Sequence, residues 1–180
     1  MRPIHNCAKH LQQKSEPREQ AQHDNIRKGE PHQKRGESME KILSLYKQLN
    51  AAGVRFYHWN MEDDAAAVVE LNGQYGVFMD FTHIRSAAEE LVAVAHEGGH
   101  ISTGATHALN SPYDLVEKHE LKADKWAIGQ LISAAELDDA VAAGYTELWQ
   151  LADHFGVTEE FMKKAVCWYT HGNLATELYF

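Results

Sequence analysis

Cysteine is scarce in this chain. Cys7 and Cys167 are the two in 180 residues and lie far apart in sequence. That excludes a disulfide framework and leaves no cysteine cluster for a closed structural zinc site. Two free thiols point to a reducing compartment, the cytoplasm. Long apolar runs are also missing. Hydrophobic residues reach 44%, yet no stretch approaches the roughly 18 apolar residues of a membrane helix. The first residues lack the apolar core of a secretory signal, so no membrane partner is expected. Cations are the third shortage, with 17 Lys and Arg against 26 Asp and Glu, a net charge of −9.

That charge is unevenly spread. Residues 1–38 carry 8 Lys/Arg against 5 Asp/Glu, or +3, while residues 39–180 carry 9 against 21, or −12. The first segment also holds Pro3, Pro17 and Pro31, four histidines and hardly an aliphatic side chain. Such a segment cannot bury enough apolar surface to offset its ordering entropy, so residues 1–38 read as a disordered tail. Met39 then opens an amphipathic pattern, and the compact domain is expected to start there. Met39, Ile42, Leu43, Tyr46 and Leu49 keep helical spacing, and Gly53 sits where a helix C-terminus is capped. Val54–Trp59 reads as a strand. Ala66–Leu71, the Asn72-Gly73 turn and Tyr75–Phe81 read as a hairpin.

Against this background stands His96-Glu97-Gly98-Gly99-His100. Helix positions i and i+4 share a face, so both imidazoles can reach one ion, while Glu97 reaches a water beside it. With 12 His and 17 Glu in the chain, a shuffled sequence would match this pattern with a probability of about 7%, so context must decide. Ser86 and Glu89 have the form of a capping box, which starts a helix near Ala87 that runs into His96. Gly98 and Gly99 each cost a helix about 1 kcal/mol against alanine, which implies a need for space, for the metal or for a neighbouring strand.

A hydrolytic zinc takes three protein ligands and leaves a fourth position for water. His107, His119 and Glu120 are the candidates for the third. A metzincin spacing fails by one residue, because Gly104 and His107 fall one place late, about 100° of helix rotation. Glu120 is preferred: it lies on an expected helix from about Asp114 to Ile132, whose stripe is Leu121, Ile128, Leu131 and Ile132. Asp124, one turn on, is placed to orient His96 or His100 through a ring N–H. His107 and His119 remain alternative ligands. Tyr113 and His107 could also donate to a developing oxyanion, with packing as the plain alternative. Trp126 and Trp149 are expected in the core.

Ala95–His100 with Thr103-Gly104, Ser111–Leu115 and His119–Ala127 resembles the ImmA/IrrE family of metallo-endopeptidases, in the short form found in phages and integrative elements. The resemblance covers about Met39 to Tyr169 and is strongest from Ser86 to Ile132. It implies one zinc ion (Zn2+) held by His96, His100 and Glu120, with Glu97 as the catalytic glutamate. It further implies a cytoplasmic enzyme acting on a helix-turn-helix transcriptional repressor. Gly98 departs from the larger residue common there, which bears on packing. The implied fold is α+β. It comprises a zincin-like core (residues 39–132) with a small antiparallel sheet, the HExxH helix and a ligand helix. A C-terminal helical hairpin (residues 133–180) packs on that core. A sheet edge along the cleft suits an extended peptide.

Two rival functions stay open. The chain could be a non-catalytic repressor-binding protein with a structural metal site. Alternatively, Leu148-x-x-Leu151-Ala152-x-x-Phe155-Gly156-Val157 has the cadence of a DNA-binding helix-turn-helix. The following helix, with Thr158 as its expected N-cap, opens on Glu159 and Glu160 and offers only Lys163 and Lys164 as cations. Recognition helices need the opposite balance, so no direct nucleic-acid partner is expected.

Overall fold

A computed structural model describes residues 31–106 and 113–180. The described helices are α1 (Pro31–Ala51), α2 (Ala87–Thr103), α3 (Tyr113–Leu131), α4 (Ala134–Ala142), α5 (Leu148–Phe155) and α6 (Glu159–His171). Between α1 and α2 lie β1 (Arg55–His58), β2 (Ala66–Leu71) and β3 (Gln74–Met79), giving an α+β chain. It divides into two compact units: Met39–Ser133, and Ala134–Phe180 with the chain up to Ser38. No described helix is long and apolar enough to cross a membrane.

The first helix starts at Pro31, ahead of the expected Met39. Proline is well suited to a first helical turn, where its missing N–H is not needed. The disordered-tail expectation over residues 1–30 lies outside the described residues, as do His107 and the Ser111-Pro112 pair.

The expected antiparallel sheet is instead mixed. Its order is β1-β3-β2, with β1 parallel to β3 and β2 antiparallel to it. The hairpin forms as its turn residues require: Asn72 and Gly73 both adopt positive φ, 53° and 76°, the conformation of a tight two-residue turn. What differs is β1. The chain leaving it passes beyond the hairpin to begin β2, so β3 returns into the middle beside β1. Asp80 fixes this crossover. Its buried carboxylate accepts from Met61 N at 2.7 Å, and from the Thr82 amide and hydroxyl at 2.8 and 2.6 Å.

In the Met39–Ser133 unit, Val77 and Met79 of β3 are buried with Ile42, Leu45 and Leu49 of α1 and with Leu91, Val94 and Ala95 of α2. Tyr46 joins the layers. Its ring meets Phe56 edge-on at 4.6 Å and its hydroxyl donates to Glu90 at 2.9 Å. In the Ala134–Phe180 unit, α5 and α6 pack as a hairpin around Leu151, Phe155, Phe161 and Met162. Thr158 caps α6 by accepting from Phe161 N.

Candidate metal centre

The helix carrying the paired histidines is fixed at both ends. Ser86 accepts from Glu89 N at 3.1 Å, and Glu89 accepts in return from Ser86 N at 3.1 Å, the full capping box. At the other end Gly104 turns left-handed, φ 62°. That turn folds the chain back so that Ala105 donates its amide to His100 O at 2.9 Å. The Ala105 carbonyl then faces His100 Nδ1 at 3.0 Å.

The glycine pair makes room for the ligand helix, not for a strand. A Cβ on Gly99 would lie 2.5 Å from Ala123 O and 2.8 Å from Ala123 Cα. One on Gly98 would meet Trp126 and Leu49 side-chain atoms at 3.1–3.3 Å. Helices α2 and α3 therefore approach backbone to backbone, which a side chain at Gly99 would forbid.

This close approach brings His96, His100 and Glu120 together in a group that could hold a metal ion. Nε2 of His96 and Nε2 of His100 are 3.0 Å apart. The Glu120 carboxylate oxygens lie 3.1 Å from the first and 3.4 Å from the second. Two ligands on a tetrahedral zinc, with bonds of 2.0–2.1 Å, stand about 3.3 Å apart, so this donor triangle has the right edge length.

The outer partners sharpen the fit. A carbonyl can only accept, so His100 must carry its hydrogen on Nδ1 toward Ala105, leaving Nε2 with a bare lone pair in the neutral ring. His96 donates from Nδ1 to Asp124 Oδ1 at 3.0 Å, which likewise turns Nε2 toward the group. Two lone pairs and a carboxylate converging at this range repel unless positive charge lies between them. A metal ion supplies it, and so does a proton. Burial pulls the His96 pKa down. The hydrogen bonds to Asp124 and Glu120, with the charges of Asp124 and Glu97, outweigh that and push it up to about 9.

Glu97 lies beside the triangle without joining it. It is buried, 6% exposed, and burial pushes its pKa up to about 7. The His96 charge opposes that rise, the Glu120 and Asp64 charges add to it, and a hydrogen bond from the Val68 amide lowers it. A carboxyl poised near neutrality can take up and return a proton at working pH.

The remaining candidates sit elsewhere. Tyr113 is 84% exposed in the first turn of α3. His119 neighbours Glu120 on the same helix but is outside the metal-competent group. Trp149 is 41% exposed rather than buried in a core. The Ala105 carbonyl and the Val68 amide were not foreseen. Both are backbone groups without a residue-type signature, although Gly104, a natural helix terminator, was a legible hint of the first. No family model matches the chain, and no curated protein is significantly similar to it.

Proposed function

We propose that this protein is a zinc-dependent endopeptidase of the ImmA/IrrE type, cleaving a helix-turn-helix transcriptional repressor in the cytoplasm. One observation carries the reading: a buried glutamate, Glu97, flanks a His96–His100–Glu120 triangle of metal-ligand dimensions. His96, His100 and Glu120 would supply three ligands to a bound zinc, and three protein donors rather than four are the pattern of catalytic sites, not of closed structural ones. When bound, the ion would act as a Lewis acid, acidifying a water and polarising the substrate carbonyl.

The chain's own residues supply the rest. Asp124 and the Ala105 carbonyl hold the two imidazoles in the tautomers that present Nε2. Glu97 accepts the proton of the attacking water and returns it to the leaving amine. The Glu120 side chain, 42% exposed, marks the side from which substrate enters. Strand β2 ends the sheet order and α2 packs against it, so an extended peptide laid along β2 would run past Glu97.

The deciding experiment compares wild type with Glu97→Gln, each loaded with zinc and incubated with a helix-turn-helix repressor as the test substrate. The variant retains one zinc per chain and loses cleavage by at least about 100-fold. Near-normal cleavage by the variant would remove Glu97 from the reaction. Repressor release from DNA by an uncleaving variant would favour a non-catalytic anti-repressor instead.

A further inference from the structure

Strand β3 has one covered face and one bare one. Val77 and Met79 are buried, and side chains alternate along a strand, so Gly76 and Phe78 point the other way. Residues directly opposed across a sheet share a face. The register therefore sets Tyr57 beside Phe78, Val69 beside Gly76, and Leu71 at the hairpin end, all on the bare side. Trp59 prolongs β1 by donating its amide to Met79 O at 3.1 Å. Its ring meets Phe78 edge-on at 6.4 Å, and Tyr57 stacks on Phe78 at 5.2 Å. Gly76 leaves room for this stack, since a Cβ there would stand 3.1 Å from the Tyr57 ring. Tyr57, Val69 and Leu71 are exposed, and Trp59 is 62% exposed. A contiguous apolar face left open in this way marks a contact surface.

The end of this face carries one sign of charge. Asp80 pins the β1–β2 connection twice: its carboxylate accepts from Met61 N at 2.7 Å, and its N–H donates to Ala65 O at 2.9 Å. Between those anchors stand Glu62, Asp63 and Asp64, all exposed, at the end of the sheet where Trp59 and Phe78 lie. Among the described residues no ion pair engages them. Single-stranded nucleic acid also stacks on aromatic faces, but its phosphates need cations along the track, and here three anions occupy it. The group that suits both surfaces is a guanidinium, which stacks on aromatic rings and pairs with carboxylates.

We propose that the Tyr57–Phe78–Trp59 face and its Glu62–Asp64 rim dock an arginine-bearing helix of the protein substrate. The identity of that partner rests on the repressor-cleaving reading, because a DNA-reading helix carries cationic side chains. Val69 and Leu71 continue the face to the β2 edge, so docking and peptide alignment share one strand. DNA and this face would then compete for the same cations of the repressor.

Fluorescence anisotropy on the full chain in a chelating buffer reads docking without turnover. The probe is a labelled amphipathic helical peptide with a leucine stripe flanked by arginines. A counterpart with glutamate for arginine and an oligo-dT strand are the comparisons, and wild type binds only the arginine peptide. Trp59→Ala leaves the net charge unchanged and weakens binding at least about tenfold, as removal of a central aromatic anchor does. Trp59→Phe keeps a ring and stays within about threefold of wild type. Neutralising the rim as Glu62→Gln/Asp63→Asn/Asp64→Asn weakens binding at least about fivefold. Glu159→Gln/Glu160→Gln, exposed acids of α6, leaves it within about twofold. Unchanged affinity in Trp59→Ala, or equal losses in the two neutralised variants, overturns the docking site. Oligo-dT binding that Trp59→Ala abolishes overturns it in favour of nucleic acid. A wild-type dimer in sedimentation velocity that Trp59→Ala makes monomeric overturns it in favour of self-association. Zinc-loaded protein that cleaves nothing, yet docks the arginine peptide through Trp59, loses the peptidase reading and keeps this face. Cleavage by a protein whose Trp59→Ala variant docks unchanged does the reverse.

Discussion

Nδ1 of His96 lies 3.0 Å from Oδ1 of Asp124, one helical turn beyond Glu120 on the same helix. A single helix thus brings one carboxylate, Glu120, to Nε2 of His96 and a second, Asp124, to Nδ1. The pair locks ring orientation and tautomer together and makes Nε2 a better donor. Asp124→Ala should weaken zinc binding about 10- to 100-fold, the usual range for an outer partner of a ligating histidine. Competition against a chromophoric chelator measures it. An unchanged affinity would show that packing alone orients the ring.

Removing a ligand is a harsher change. His100→Ala and Glu120→Ala each delete one corner of the donor triangle, and zinc affinity should fall more than about 100-fold, beyond any outer-partner loss. His119→Ala, on the same helix but outside the triangle, should leave affinity within about threefold of wild type. Metal analysis of the purified variants, run side by side, separates the outcomes. If His119→Ala loses zinc as Glu120→Ala does, the triangle has been assigned wrongly.

Much of this was legible in the chain, for identifiable reasons. The α2 start followed from Ser86 and Glu89, because a capping box is a local device with a fixed spacing. The hairpin followed from Asn72-Gly73, because few residues accept positive φ. Strand order was not legible. Which side β1 joins depends on the crossover through Met61 and its bond to Asp80, a contact spanning 19 positions. The α3 stripe was partly misread. Leu121 is 37% exposed, whereas the small Ala123 and Ala127 are fully buried. Weighting by side-chain size favoured leucine, but the tightest helix contact needs the smallest residues.

That contact yields a stability test with a counterintuitive sign. Alanine is the better helix former by about 1 kcal/mol, so Gly99→Ala would stabilise an isolated helix. Here the new Cβ would stand 2.5 Å from Ala123 O, and backbone cannot swing aside as a side chain can. Gly99→Ala should therefore destabilise by about 1–3 kcal/mol, the usual cost of overpacking. It should also weaken zinc binding by parting the two ligand helices. Gly98→Ala meets only side-chain atoms of Trp126 and Leu49 at 3.1–3.3 Å and should cost less. Denaturant unfolding of both variants gives the ranking, and a more stable Gly99→Ala would refute the close approach.

Asp80 sets the acid limit of the fold's stability. The Thr82 hydroxyl is the leading cause of a carboxyl held well below its ordinary range. The Met61 and Thr82 amides and His83 act in the same sense, and burial opposes them. A folded-state pKa below the unfolded one means that the unfolded chain binds the proton more readily. The stabilisation is thus complete above the ordinary carboxylate value of 3.8 and is lost progressively as the pH falls below it. Asp80→Asn keeps the shape but surrenders one acceptor oxygen to an amide that can only donate. The variant should be clearly less stable than wild type at pH 7, with the Met61 crossover loosened. The difference should shrink as both proteins are acidified below about pH 4, because wild type then loses what the variant never had. Urea unfolding across pH 2.5 to 7 follows both. A stability difference that stays constant or widens in acid would mean that the Asp80 charge does not hold the crossover.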